Sequence, residues 1–322
     1  MNLNELTIVI GAYGDVNKLN DTLNSFLAYE HSGINIIVID DNQSEDLINS
    51  SKSVCQSYKA LKIKYIRNDS RIGVPHVFKK WHDVVETKFF MFFGVGDRVM
   101  PNTLQVLVKA LYDHPEASLA HGGQKQKITV GKDSINADQI VSKDRLEIIS
   151  TDKYLKSLLI GGDYKMSQMA TVIRTEQFRY KVKMSKNWFW DYDFHLEYHL
   201  FNDFIASIPL FVTEREERII SRDYYSDLYQ FRLVLEQKLQ AIKFIENYES
   251  NLIEKNIPVV RYRNKIALSL LINSSRISNL SRRMYIIREA LKVITGDFFT
   301  FILSKILIPT NYLFKLIVRL KR

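Results

Sequence analysis

A chain of 322 residues with 46% hydrophobic content is long enough to bury a substantial core, which excludes disorder as the default and admits one large domain or a domain with a helical appendage. Its one cysteine, Cys55, excludes an intramolecular disulfide framework and a cysteine-based zinc site; in a predicted helix it reads as a small buried hydrophobe in a protein of a reducing compartment. The net charge of +9 is unevenly placed: residues 257–322 hold thirteen Lys or Arg against two acids, Glu289 and Asp297, so the first 256 residues carry −2 and lack the basic patch of a nucleic-acid-binding body.

In chain order, the amino terminus Met1–Leu6 has no basic region followed by a long apolar core, so a secretory signal is not expected and the catalytic part should stay in the cytoplasm. Apolar runs then alternate with helical patterns. Strands are predicted over Leu6–Ile10, Ile34–Ile39 and Leu61–Ile66, and helices over Val16–Tyr29 and Glu45–Tyr58. That rhythm is the signature of βαβ units and a mostly parallel sheet. A helix over Pro75–Glu86 and a buried strand over Lys88–Phe93 follow, and Gly94 and Gly96 break the strand. Pro101 opens a further helix, Asn102–Leu111, so Asp97 is expected in a loop at the carboxyl end of a strand, where open α/β sheets bind ligands. Beyond it the pattern gives a strand Ala117–Ala120, a polar stretch Thr129–Asp144, a helix near Thr151–Leu159, a strand Met169–Arg174 and a helix from Trp190. From about Ser221 the pattern is helical to the end, with a soft boundary in 220–256.

Three stretches carry chemistry. The first strand ends in Gly11-Ala12-Tyr13-Gly14-Asp15 and the second in Asp40-Asp41-Asn42-Gln43-Ser44, and neighbouring parallel strands bring such ends together. A flat aromatic at Tyr13 suits base stacking and a carboxylate at Asp41 suits a ring N–H or ribose hydroxyl; the plain structural alternatives are a sheet-edge aromatic and a turn cap. No G-x-G-x-x-G follows the first strand and no P-loop occurs, which argues against a dinucleotide fold or an NTPase. A nucleotidyltransferase would bring a basic, glycine-rich first loop, and Gly11-Ala12-Tyr13-Gly14 lacks the basic residue.

Ile8-Val9-Ile10-Gly11-Ala12-Tyr13, then Ile37-Val38-Ile39-Asp40-Asp41-Asn42, then Gly94-Val95-Gly96-Asp97 with Pro101 following, resembles family 2 glycosyltransferases in order and spacing over roughly residues 5–215. The resemblance implies a GT-A fold: a Rossmann-like α/β mixed sheet flanked by helices, here with a C-terminal helical extension. It also implies an inverting enzyme that moves a sugar from a nucleotide diphosphate donor, a UDP-sugar, to a glycan or lipid-linked acceptor in bacterial cell-surface polysaccharide synthesis. Ala12, Tyr13, Asp40, Asp41, Arg71, Gly96 and Asp97 would bind the donor, with Lys79 as a further candidate beside Arg71. Asp191, in Trp188-Phe189-Trp190-Asp191-Tyr192-Asp193, takes the place of the family's general base, with Trp190 where a Glu is usual. A carboxylate is needed there because an inverting transfer requires a base on the face opposite the leaving nucleotide; the structural alternative is a first-turn acid. Trp188, Phe189, Trp190 and Tyr192 could stack on sugar or fill the core, and Gly161-Gly162-Asp163 resembles a loop near donor or acceptor. His195 and His199 share a helical face, but no H-E-x-x-H pattern marks a metal site.

The sequence departs from the family pattern at Gly94 and Gly96, where two acids are usual, and Asp97 alone remains. A divalent cation, Mn or Mg, is the implied cofactor, because charge builds up on the leaving diphosphate. Three outcomes are open: Asp97 takes over the metal, Arg or Lys such as Arg98 meets the charge, or the chain is an impaired nucleotide-binding subunit of an assembly complex.

The predicted division is a glycosyltransferase domain over 1–220, a helical extension over 221–297 and a basic tail over 298–322. The tail has no acid, but Lys305, Pro309 and Lys315 interrupt it, so it suits an in-plane amphipathic anchor on an anionic membrane better than a spanning helix. The alternative is a helix packed on the body. The expected partners are therefore a nucleotide-sugar donor, a glycan or lipid-linked acceptor and the inner face of the cell membrane.

Overall fold

The structure is a computed structural model that describes residues 2–73, 76–77, 80–130, 133–140, 144–160, 166–177, 190–219, 233–274 and 280–293. It forms two compact units, Met1–Leu155 with Tyr164–Ser226, and Lys156–Asp163 with Asp227–Arg322.

In the first unit the predicted rhythm is realised. β1 (Leu6–Ala12), α1 (Val16–Ser25), β2 (Asn35–Asp40), α2 (Glu45–Ser57) and β3 (Lys62–Arg67) are followed by a short α3 (Trp81–Val84) and β4 (Phe89–Gly94). β5 (Asp97–Val99), α4 (Thr103–Asp113), β6 (Ala117–Val130), β7 (Asp133–Asn136), β8 (Glu147–Ser150) and α5 (Thr151–Ile160), whose residues from Lys156 on belong to the second unit, come next. β9 (Thr171–Arg174), α6 (Trp190–Phe201) and β10 (Phe204–Ile219) complete the unit. Among the described residues the strands form one ten-stranded sheet in the order β3-β2-β1-β4-β9-β6-β10-β5, with β7 paired to β6 and β8 to β10. β1 runs parallel to β2 and β4, and β2 to β3, whereas β9 pairs antiparallel with β4 and β6. The sheet is therefore mixed, an α/β GT-A-like fold.

The central strands are apolar on both faces because both are covered. Ile8, Ile10, Val38, Met91 and Phe93 pack with Leu19 and Leu23 of α1 and Leu104, Leu107 and Leu111 of α4. Val9, Ile37, Ile39, Phe90 and Phe92 pack with Phe194 and Tyr198 of α6 on the other side. Cys55 is buried, and burial pushes its thiol up to about 12, so it serves as a small hydrophobe.

Several expectations are corrected. Asp97 lies not in a loop but at the start of β5, because β10 pairs with β5 antiparallel at Arg215↔Asp97. β6 runs ten residues past the predicted Ala120, and part of the polar stretch after it is β7, since the charged positions face solvent along paired strands. Of the helix expected over Pro75–Glu86, His76, Val77 and α3 (Trp81–Val84) are helical among the described residues.

The long β10 was not expected. Its apolar first half is interrupted by Pro209, which lies where the register with β6 shifts between Ser207 and Phe211; a bulge of this kind accommodates proline in a strand.

In the second unit α7 (Leu233–Asn247), α8 (Glu249–Glu254), α9 (Val259–Ser274) and α10 (Leu280–Val293) form a helical group, with Leu252, Ile266, Ala267, Leu270 and Ile286 buried. Among the described residues no helix is long and apolar enough to cross a membrane. The 298–322 tail and Gly161-Gly162-Asp163 lie outside the described residues.

Candidate functional site

The carboxyl ends of β1, β2, β3 and β4 are level, with Ala12 beside Asp40, Asp40 beside Arg67 and Gly11 beside Gly94. The loops leaving these ends carry most of the predicted donor residues. Tyr13 is 51% exposed, and the Arg71 guanidinium lies 4.4 Å from its ring centroid. Such a stack presents a flat, cationic surface to a ring ligand.

At the end of β2 the two acids Asp40 and Asp41 are buried and engaged. Asp40 accepts from the Asn42 N–H at 2.8 Å and from the Tyr65 hydroxyl at 2.5 Å. Burial, and then the Asp40 carboxylate, hold the Tyr65 phenol far above its usual range. Asp41 accepts from Asn68 Nδ2 at 3.0 Å, Ile72 N at 2.9 Å and Gly73 N at 2.8 Å, so its carboxylate organises the loop that carries Arg71. Its own N–H donates to Ala12 O at 2.9 Å, tying that loop to the end of β1. Asn42 Oδ1 accepts from Gly14 N at 2.8 Å, and Lys80 Nζ donates to Asn68 Oδ1 at 2.5 Å. Asn42 and Asn68 were not singled out from the sequence. Two asparagines in polar loops give no signal until their strands are aligned.

The glycine stretch after β4 is built differently. Thr22 of α1 clamps it, accepting from Gly96 N and donating to Asp97 O, both at 2.9 Å. Gly96 has φ +96°, a conformation that favours glycine, and the Lys18 stem covers it, with Cδ 3.4 Å from where a Cβ would stand. A Cβ on Gly94 would stand 2.7 Å from Asp97 Oδ2, so the Asp97 carboxylate occupies the space of a side chain at 94. Asp97 is 3% exposed, and its Oδ1 makes no hydrogen bond, lying 3.8 Å from Arg215 Nε. Burial pushes the Asp97 carboxyl up to about 6; Arg215 and the Gly94 N–H oppose the rise and Glu217 adds to it.

These residues do not fit a divalent cation. Mg2+ keeps several waters and is held through one or two carboxylates plus substrate phosphates, so at least one carboxylate must be open to the ion. Gly94 and Gly96 supply no side-chain ligand, and the remaining carboxylate is buried over Gly94 and turned to a guanidinium. Among the described residues no group of three or more His, Cys, Asp or Glu is placed to hold a metal ion.

A cleft of about 660 Å3 opens at Gly96, and its wall includes Lys18, Arg98, Lys125, Lys127 and Arg215. Arg215 and Lys125 lie on strands whose length the sequence did not reveal. A larger cleft of about 780 Å3 in the second unit is walled by Ile253, Ile257, Val259 and Val260 and contains none of the predicted site residues.

Asp191 is the second residue of α6, and its side chain is outside the described set, as are Lys79, Trp188, Phe189 and the Trp190 side chain. Tyr192, 7% exposed, lies in the core rather than on an open sugar-stacking wall. His195 and His199 stack with planes 13° apart and centroids at 6.0 Å, against Tyr154, which stacks on His199 and touches His121 Nε2 at 3.4 Å. Burial pushes His121 down to about 4 and His195, with His121 beside it, to about 3, so these two are neutral buried packing groups.

Comparisons with known proteins place the chain. Residues 1–349 of S. aureus TarS, solved in complex with UDP-GlcNAc, superpose with a TM-score of 0.61 at 14% identity, covering 92% of this chain and 83% of that one. The mannosyltransferase PcManGT from Pyrobaculum calidifontis, solved with GDP-Man and Mn2+, superposes with a TM-score of 0.51 at 10% identity, covering 92% and 82%. At these identities the likeness is one of fold. No curated protein sequence matches the chain. The profile described as Glycosyl transferase family 2 matches residues 7–173, which contain β1 to β4, the Tyr13 and Asp41 loops and the Gly94–Asp97 stretch; the chain belongs to glycosyl transferase family 2.

Proposed function

We propose that this glycosyltransferase is inverting, takes its sugar from a nucleoside diphosphate donor, a UDP-sugar, and delivers it to a glycan or lipid-linked acceptor in bacterial cell-surface polysaccharide synthesis. The observation that carries the reading is the level set of loops in which Tyr13 and Arg71 stack in the open while Asp41 fixes the Arg71 loop with three hydrogen bonds. The donors held by TarS and PcManGT, UDP-GlcNAc and GDP-Man, support a nucleoside diphosphate sugar.

In this reading the base rests on Tyr13 and Arg71, while Asp40 and Asp41 act through the loops they hold. An acceptor hydroxyl attacks the anomeric carbon opposite the diphosphate. The carbon–oxygen bond to the diphosphate breaks with its electron pair leaving on the phosphate oxygen, and the acceptor proton passes to the Asp191 carboxylate. In transfer assays over a panel of nucleotide sugars, Asp191→Ala should lower turnover by about 10²–10⁴-fold while nucleoside diphosphate binding persists. Nucleotide binding without turnover by the native chain would instead identify a nucleotide-binding subunit, the reading that the loss of acids at Gly94 and Gly96 favours.

The reading extends to residues 221–297 as a helical extension and 298–322 as a peripheral anchor, supported by the acid-free, apolar and basic composition of the tail. Deleting 298–322 should move the protein from the membrane fraction to the soluble one; unchanged partitioning refutes the anchor.

A further inference from the structure

The cleft at Gly96 has a wall with four acids and five cations, and its acids are all engaged. Asp21 and Glu214 flank Arg98 at 3.5 and 3.8 Å, Glu216 pairs with Lys127 at 3.6 Å, and Asp138 accepts from Gln126 N at 3.0 Å. Lys18 and Lys125 make no ion pair among the described residues; the Lys125 ammonium lies 5.4 Å from the centroid of the Phe211 ring. Arg215 is held only loosely, at 3.8 Å from Asp97 and 3.9 Å from Glu217, and is 42% exposed. The cleft is therefore a polar cavity with surplus positive charge, opening where a divalent cation does not fit.

We propose that this cleft is a metal-independent binding site for the donor diphosphate, in which Lys18 supplies the charge at Gly96 and Arg215 and Lys125 complete it. The inference rests on the nucleoside diphosphate reading above and names how that donor is held. A side chain at 96 would meet the Lys18 stem, and without one the lysine lies directly over the Gly96 backbone. An ammonium and a guanidinium form charge-assisted bonds to phosphate oxygens and offset the negative charge that grows as the glycosidic bond breaks. The acids that would compete for these cations are already committed, and the pairing of β10 with β5 at Arg215↔Asp97 sets Arg215 on this wall.

The test is calorimetric titration of the full chain with UDP, GDP and ADP, each in EDTA and in Mn2+. It compares the native protein with Lys18→Met, which keeps the stem over Gly96, and with Lys109→Met, an exposed lysine paired with Asp113 on α4. Lys18 is exposed, so its substitution should leave the melting temperature unchanged. The expected result is a Kd that is the same in EDTA and Mn2+, about tenfold weaker in Lys18→Met, the size of a lost contact to a charged group, and unchanged in Lys109→Met. Binding that needs Mn2+, or that survives Lys18→Met unaltered, overturns the metal-independent site and leaves the nucleotide reading intact. No binding of any of the three with or without metal overturns both.

Discussion

Asp41 and Asp97 are equally buried, at 3% exposure each, at the ends of strands in the same sheet, yet they stand in opposite electrostatic conditions. Asp41 receives three donors from the loop after β3, so its charge is satisfied and spent on holding that loop. Asp97 has an oxygen without a hydrogen bond, a distant guanidinium and a carboxyl pushed up to about 6 by burial. A carboxylate fully met by backbone and amide N–H groups is a structural part, whereas one left short is a cost that the fold retains. Counting acids in a sequence motif does not distinguish the two conditions.

The contrast can be broken at several points. The largest expected effect is at the satisfied acid: Asp41→Ala leaves one buried and two half-buried donors without their acceptor and should cost about 2–3 kcal/mol in denaturant unfolding, with loss of nucleotide binding as the Arg71 loop is released. A cost under about 1 kcal/mol would show that the loop does not depend on Asp41.

Acidification should act next, and with two signs. His121 and His195 have folded values near 4 and 3, below the ordinary 6.5, so their contribution is complete above 6.5 and is lost as pH falls towards 4. Each should remove about 1.4 kcal/mol per pH unit across that window. Asp97 runs the other way: its folded value is raised from 3.8 to about 6, so its contribution is complete below 3.8 and is lost as pH rises through 6. Two histidines outweigh one aspartate, and unfolding measured between pH 6.5 and 4 should show stability falling with acid; a flat profile would contradict the burial of the histidine cluster.

The smallest effect isolates Asp97 itself. Asp97→Asn removes a buried, poorly paired charge and should raise stability at pH 8 by about 1 kcal/mol, since release from burial outweighs the loss of the long Arg215 contact. The gain should vanish below pH 4, where the native carboxyl is already neutral. A destabilised Asp97→Asn at pH 8 would place Asp97 with Asp41 among the satisfied acids.

Much of the molecule was legible in local pattern. The alternation of apolar runs and helical periodicity gave β1 to β4 and the helices between them, because strands buried on both faces must be apolar throughout and amphipathic helices must repeat with the helical turn. The same order placed Tyr13, Asp41 and Arg71 after the carboxyl ends of strands, and the family follows from those motifs; Asp97, expected in a loop after β4, opens β5 instead. The second half of the sheet was hidden. β10 is broken by Pro209 and continues as the charged Thr213-Glu214-Arg215-Glu216-Glu217, and its strand character comes from pairing with β6 and β5 rather than from its own residues.

The sequence by itself thus determined the βαβ architecture, the strand ends that bear the candidate site and the absence of acids at positions 94 and 96, since each is a property of local pattern or residue identity. Only the tertiary structure decided what the surviving acids do. Hydrogen-bond partners and burial depend on contacts remote in the numbering, 118 positions apart for Arg215 and Asp97, and no local pattern specifies whether such a contact satisfies a charge or leaves it short.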